Sequence, residues 1–152
     1  NGRTTADPEV LVAMSSLQTN LGAADITEIE WITTAADKSA GFTLSARVRF
    51  IEEVDVTGTP QLSVTNGNQG SGSGRGPHVL SYASGTGSNE LVFSLVIAAA
   101  NAATNADDVL SFGANPLALN SGTIRDKGTS TNSTITSAAG IGTAAGTITV
   151  VA

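Results

Sequence analysis

The residues able to do chemistry in this chain are few. A single histidine, His78, follows the glycine-rich stretch Gly70-Ser71-Gly72-Ser73-Gly74-Arg75-Gly76-Pro77. A histidine beside a serine and an aspartate is the raw material of nucleophilic acyl transfer. No nucleophile-elbow pattern accompanies His78, so the expectation is a surface-loop histidine. The glycine stretch invites phosphate binding, but it has no GxGxxG and no following Lys-Ser/Thr. No helix start follows it either, so the dipole that would hold a phosphate is missing. A flexible hairpin is expected instead. Carboxylates gather at Glu52, Glu53 and Asp55, and again at Asp107 and Asp108. Calcium needs several oxygen ligands, usually from a D-x-D-x-D-G loop, and none is present. These groups read as solvated charge at strand ends, and no metal or cofactor is expected. Asn132-Ser133-Thr134 fits the glycosylation triplet, which arises by chance in such a Thr/Ser-rich segment. Trp31 and Phe42 offer aromatic faces for a sugar, yet each sits on the apolar phase of its segment, where core packing is expected. No converged polar set emerges, so the chain reads as a non-enzymatic module without catalytic residues.

The bulk properties agree. A length of 152 residues is about one domain. Aromatics make up 4%, so the core must be built from Val, Leu, Ile and Ala. Net charge is −6, and the seven Lys and Arg residues are scattered without a basic stripe. Nucleic acid is therefore not an expected partner. Cysteine is absent, which excludes a disulfide framework and a thiolate metal site. No apolar run reaches the roughly 18 residues of a membrane span, so no membrane partner is expected. The chain starts at Asn1, without an apolar signal core or a methionine, and residues are expected to precede it in the gene product.

The elements that must position these residues follow from periodicity. Asp7-Pro8-Glu9 reads as a helix start, with Asp as N-cap, Pro at the first position and Glu at the positive end of the dipole. Val10, Met14, Leu17 and Leu21 then form one apolar stripe, and Gly22 can close a helix over about 8–21, which either packs on its own sandwich or docks on another subunit. From Asp25 the period becomes two. Phe42, Leu44, Ala46, Val48 and Phe50 alternate with Thr43, Ser45, Arg47 and Arg49, as in an antiparallel sheet with one wet face. Gln61–Thr65, Val79–Ala83 and Glu90–Ala98 read as further strands, the last central and largely buried. Residues 66–77 read as a long loop. Shorter strands are expected at 109–112, 117–119, 123–125 and 147–151. Seven to nine short strands without intervening helices predict an all-β fold, a single immunoglobulin-like β-sandwich with a helix-bearing N-terminal arm. The divisions expected are 1–24 for the arm, 25–128 for the sandwich and 129–152 for a Thr/Ala/Gly-rich strand segment. That last segment either completes the sandwich or adds to a neighbour's sheet.

Three blocks carry a resemblance. They are Phe50–Leu62 (FIEEVDVTGTPQL), Tyr82–Phe93 (YASGTGSNELVF) and Leu117–Asp126 (LALNSGTIRD). They resemble, in order, the VTFSEAVDVTGTPTL, YVSGSGTNTLTF and ALALNGGTIKD blocks of bacterial immunoglobulin-like repeats from very large cell-surface proteins. The likeness covers about residues 41–128, and the repeat stands here as one copy with its own arms. Single modules of this kind are common on bacteriophage virions. By analogy, the resemblance implies a capsid decoration or cement subunit at the virion surface. Its expected partners are other virion proteins, such as a major capsid protein, and further copies of itself. The stripe Val10, Met14, Leu17 and Leu21 and the tail residues Ile148 and Val150 are the expected contacts. The alternative is a module of a bacterial extracellular adhesin or surface-layer-like protein that binds carbohydrate or a cell-surface partner.

Overall fold

The computed structural model describes residues 22–68, 75–101 and 103–152. The expected helix over 8–21 and its stripe Val10, Met14, Leu17 and Leu21 lie outside the described residues. The chain forms β1 (Ile26–Trp31), β2 (Ala36–Asp37), β3 (Phe42–Thr57), β4 (Gln61–Asn68) and β5 (Arg75–Ser84). It continues through β6 (Ser88–Ile97), β7 (Asp108–Ser111), β8 (Leu117–Ala118) and β9 (Thr123–Asp126). A one-turn helix α1 (Ile141–Ala144) precedes β10 (Ile148–Val151). The strands run in the order β1-β3-β6-β5-β4-β7-β10-β2, with β9 added to β3 and β8 to β4. Pairings between these strands are antiparallel except that of β10 with β2. The first and last strands of this path, β1 and β2, are neighbours in sequence. The sheet therefore curls back on itself as an all-β sandwich.

The sixteen-residue β3 pairs with three other strands. Its first half pairs with β1 and β6, and its last four residues pair with β9. The change of partner occurs at a register break between Arg49 and Val54. Such a break bends a strand and leaves backbone groups that need other partners. Here Ile51 N donates to Asp25 O at 2.9 Å, and Glu53 O accepts from Lys127 N at 2.9 Å. The turn after β9 is held by Asp126, whose Oδ1 accepts from Thr129 N at 2.6 Å and Thr129 Oγ1 at 2.8 Å.

The core is aliphatic, as the low aromatic content requires. Leu44, Ala46, Val48 and Phe50 of β3 join Leu62, Val64, Leu80, Leu91, Phe93 and Leu110 in one buried cluster. Burying each large side chain contributes about 1.5–3 kcal/mol. Trp31 stacks on Phe112, with ring centroids 4.1 Å apart, and its Nε1 donates to Gly146 O at 3.2 Å. This packing joins β1 to the end of β7 and to the segment before β10. The indole is therefore part of the packing and not a free sugar platform.

Four sequence expectations change. The alternation expected along β1 breaks at a bulge between Ile26 and Glu28, so Ile26 and Ile29 are both buried. β6 is central, but its second face is open: Val96 is 75% exposed. The loop expected over 66–77 is shorter, because β4 reaches Asn68, β5 begins at Arg75, and Asn66–Asn68 pair with Asp108–Leu110 of β7. Ile148 and Val150, expected at an intersubunit contact, are 8% and 0% exposed and fill the chain's own core. β10 is paired on both sides, with β7 and with β2, so its backbone is used within the chain.

The turn glycines of the three blocks are sterically required. Gly85 has φ +116°, and a Cβ there would overlap the Glu90 carbonyl oxygen. A Cβ on Gly58 (φ +69°) would come within 2.8 Å of Gly122 Cα. Gly85→Ala is expected to lower stability by about 2–3 kcal/mol in urea unfolding, because strain in the left-handed region adds to the overlap. An unchanged midpoint would contradict this reading of the turn.

Candidate functional site

The described residues hold one buried group of polar side chains from four different segments. His78 lies on β5 opposite Val64 of β4 and is 6% exposed. Asn66, two residues further along β4, is 3% exposed. The connection from β6 to β7 places Thr104 over them, fully buried, with Oγ1 3.1 Å from His78 Nε2. Asn66 Nδ2 donates to Ala103 O at 2.6 Å. Asp108 opens β7, is also fully buried, and accepts from Asn105 N through Oδ2 at 2.8 Å.

The connection is shaped by its own polar residues. Asn101 Oδ1 accepts from Ala103 N at 2.8 Å, and Asn101 O accepts from Thr104 N at 3.1 Å. Lys38 Nζ reaches across to Asn105 Oδ1 at 3.0 Å. Two non-glycine residues in the left-handed region flank it, Ala100 at φ 54° and Asp107 at φ 68°. Each costs about 1–2 kcal/mol and persists only where surrounding contacts hold it. Ala100 N is held by Lys38 O at 2.9 Å, and Asp107 N by Val150 O at 2.8 Å.

Burial pushes the His78 pKa below its ordinary value of 6.5, against the pull of the Asp108 charge. The neutral ring is the folded form near neutrality. With its proton on Nδ1, Nε2 is free to accept the Thr104 hydroxyl. The arrangement is thus a base next to a hydroxyl, a carboxylate nearby, and an amide donor on the adjoining carbonyl.

The sequence placed His78 on a surface loop; it stands instead on the inward face of β5. The signal was available in the period of two. His78 is in phase with Leu80, Asn66 with Leu62 and Val64, and Asp108 with Leu110. The joining of Thr104 to them depends on the path of the β6–β7 connection, which no spacing encodes. The remaining candidates separate. Residues 69–74 of the glycine stretch lie outside the described residues. Among the described residues no three His, Asp or Glu side chains gather as a metal site. Glu53 pairs with Lys127 at 2.7 Å on the surface, while Glu52 hydrogen-bonds the buried Asp126. Asn132 is exposed and bridges to Arg125, whereas Ser133 is buried.

On the outer face of the β1–β3–β6 layer, Arg47 contacts Glu30 at 2.9 Å and Glu90 at 3.0 Å. Arg49 contacts Glu28 at 3.3 Å and Glu90 at 2.9 Å. These pairs are about one-third exposed or more, so each contributes little alone. A cleft of about 150 Å³ beside α1 is lined by Phe112, Ala138, Gly142 and Thr143 among others. It is smaller than the roughly 300 Å³ at which ligand pockets begin.

Fold and site together define a small all-β sandwich with an occluded polar cluster. No protein-family model, curated protein or solved structure matches the chain at a significant level.

His78 is the only histidine in the sequence, so its ring signals can be assigned without ambiguity in an NMR titration. The folded pKa is expected below 6.5. An unfolded chain then takes up the proton first, and stability falls as pH drops from about 6.5 through the folded value. Asp126 is held below the usual carboxylate range by the Thr129 amide and hydroxyl. Its contribution is lost only below about pH 4. Native protein should lose thermal stability as the pH falls below about 6.5, and His78→Gln should lose less. A measured ring pKa at or above 6.5 would contradict this.

Proposed function

We propose that the chain is a structural surface subunit of a virion, a decoration or cement protein that binds a lattice of other virion proteins and further copies of itself. One observation carries the reading: the described residues between 24 and 150 supply an aliphatic core of their own, with both flanks of β10 paired within the chain. The apolar stripe Val10, Met14, Leu17 and Leu21 of the sequence is assigned to a partner. The three blocks that resemble bacterial immunoglobulin-like repeats support the same class of work. Their glycines shape tight turns, as at Gly58 and Gly85. A net charge of −6 and a largely polar outer face suit a module that must stay soluble until it docks. Ile148 and Val150 drop out of the expected interface because they are core residues, so the N-terminal stripe carries the contact alone.

Met14→Asp with Leu17→Asp in the full chain tests this. The native chain is expected to scatter light as a multiple of 15.2 kDa, or to co-sediment with capsids that lack it. The double variant should keep the native unfolding midpoint and lose both properties. A variant that still assembles or binds as the native chain does would remove the stripe from the interface.

A further inference from the structure

We propose that the Ala103–Thr104 peptide bond is a self-cleavage site, with Thr104 as nucleophile, His78 as base and Asn66 as the donor to the scissile carbonyl. A threonine hydroxyl is four bonds from the carbonyl carbon before it, so it can close a five-membered ring on that carbon. A base on that hydroxyl, together with a side-chain amide on that carbonyl oxygen, is a much rarer arrangement. Both are present here, at 3.1 Å and 2.6 Å.

The step balances within the chain. His78 Nε2 takes the proton from Thr104 Oγ1 as the oxygen bonds to the Ala103 carbonyl carbon. Negative charge develops on Ala103 O, where Asn66 Nδ2–H already donates. The imidazolium returns its proton to the Thr104 nitrogen as the C–N bond breaks. The product is an ester between the Ala103 acyl group and Thr104 Oγ1, with a free Thr104 amine. Solvent water hydrolyses the ester to an Ala103 carboxylate and restores the hydroxyl. Asp108 is a positioning residue, because its charge favours the imidazolium that forms midway.

Three further features favour the reaction. The neutral His78 ring is available as a base near neutrality. Ala103 is exposed, so solvent reaches the residue that carries the acyl group, while the fully buried Thr104 is closed to other peptides. The left-handed Ala100 and Asp107 hold the connection under strain that a cut would release. After cleavage, β7 stays paired with β4, β9 with β3, and β10 with β2, so the two pieces remain associated.

The test is intact mass after denaturation of the purified full chain, held near pH 7.5 with and without hydroxylamine, which captures esters. The expected products end at Ala103 and begin at Thr104, together one water heavier than the chain. Hydroxylamine should increase the yield and leave a hydroxamate on Ala103. Thr104→Ser should still cleave, and Thr104→Val should not. Asn66→Ala or His78→Gln should slow the cut by about a hundredfold. An intact native chain in hydroxylamine would overturn the proposal, as would cleavage at the same bond in Thr104→Val.

Discussion

Backbone polar groups removed from water must be paired, and in this sandwich that requirement falls most heavily on β3. The sixteen-residue β3 does not keep one set of partners from end to end. It changes partners at the break between Arg49 and Val54, and the groups exposed there are taken up by Asp25 and Lys127. The N-terminal end of β1 and the turn after β9 are thereby fixed to the same bend. The tail continues this bracing, for Thr134 N donates to Ala24 O, and β10 enters between β7 and β2. Without the bend, β3 would not pair with β9 as well as with β1 and β6.

The same closure creates the polar cluster. Once β4, β5 and β7 lie side by side, the inward positions at their shared end are Asn66, His78 and Asp108, not hydrocarbon. Burying such groups costs free energy unless they find partners. The β6–β7 connection supplies them through Thr104 and the Ala103 carbonyl, while Ala100 and Asp107 are held in strained conformations. An aliphatic end would be simpler to pack. The cluster therefore links a structural necessity, the pairing of buried polar groups, to the only place where base, hydroxyl and amide donor converge among the described residues.

Much of the fold was legible in the sequence because alternation is a direct imprint of the pleat. Phe42 to Phe50 gave the inward face of β3, and the turn glycines fell where the backbone requires them. Features that depend on register were not legible. The bulge in β1 places Ile26 and Ile29 together in the core, which strict alternation forbids. The open face at Val96 depends on what covers β6 from outside, and no residue of β6 encodes that. His78 was misplaced because neighbouring glycines suggested a loop, although its phase with Leu80 pointed inward. Ile148 and Val150 were assigned to a partner because a small-sided tail can pair in either place.

The closure of the sandwich depends on its tail, which pairs with β7 and β2 of its own chain. Native-state amide hydrogen exchange tests this most directly. The amides of Ile148 to Val151 that pair within the chain are expected to exchange only through global unfolding, at the same free energy as those of Leu44 to Phe50. Exchange of the β10 amides through a separate, much cheaper opening would contradict the account, for it would make the last strand detachable and return it to the pool of intersubunit contacts.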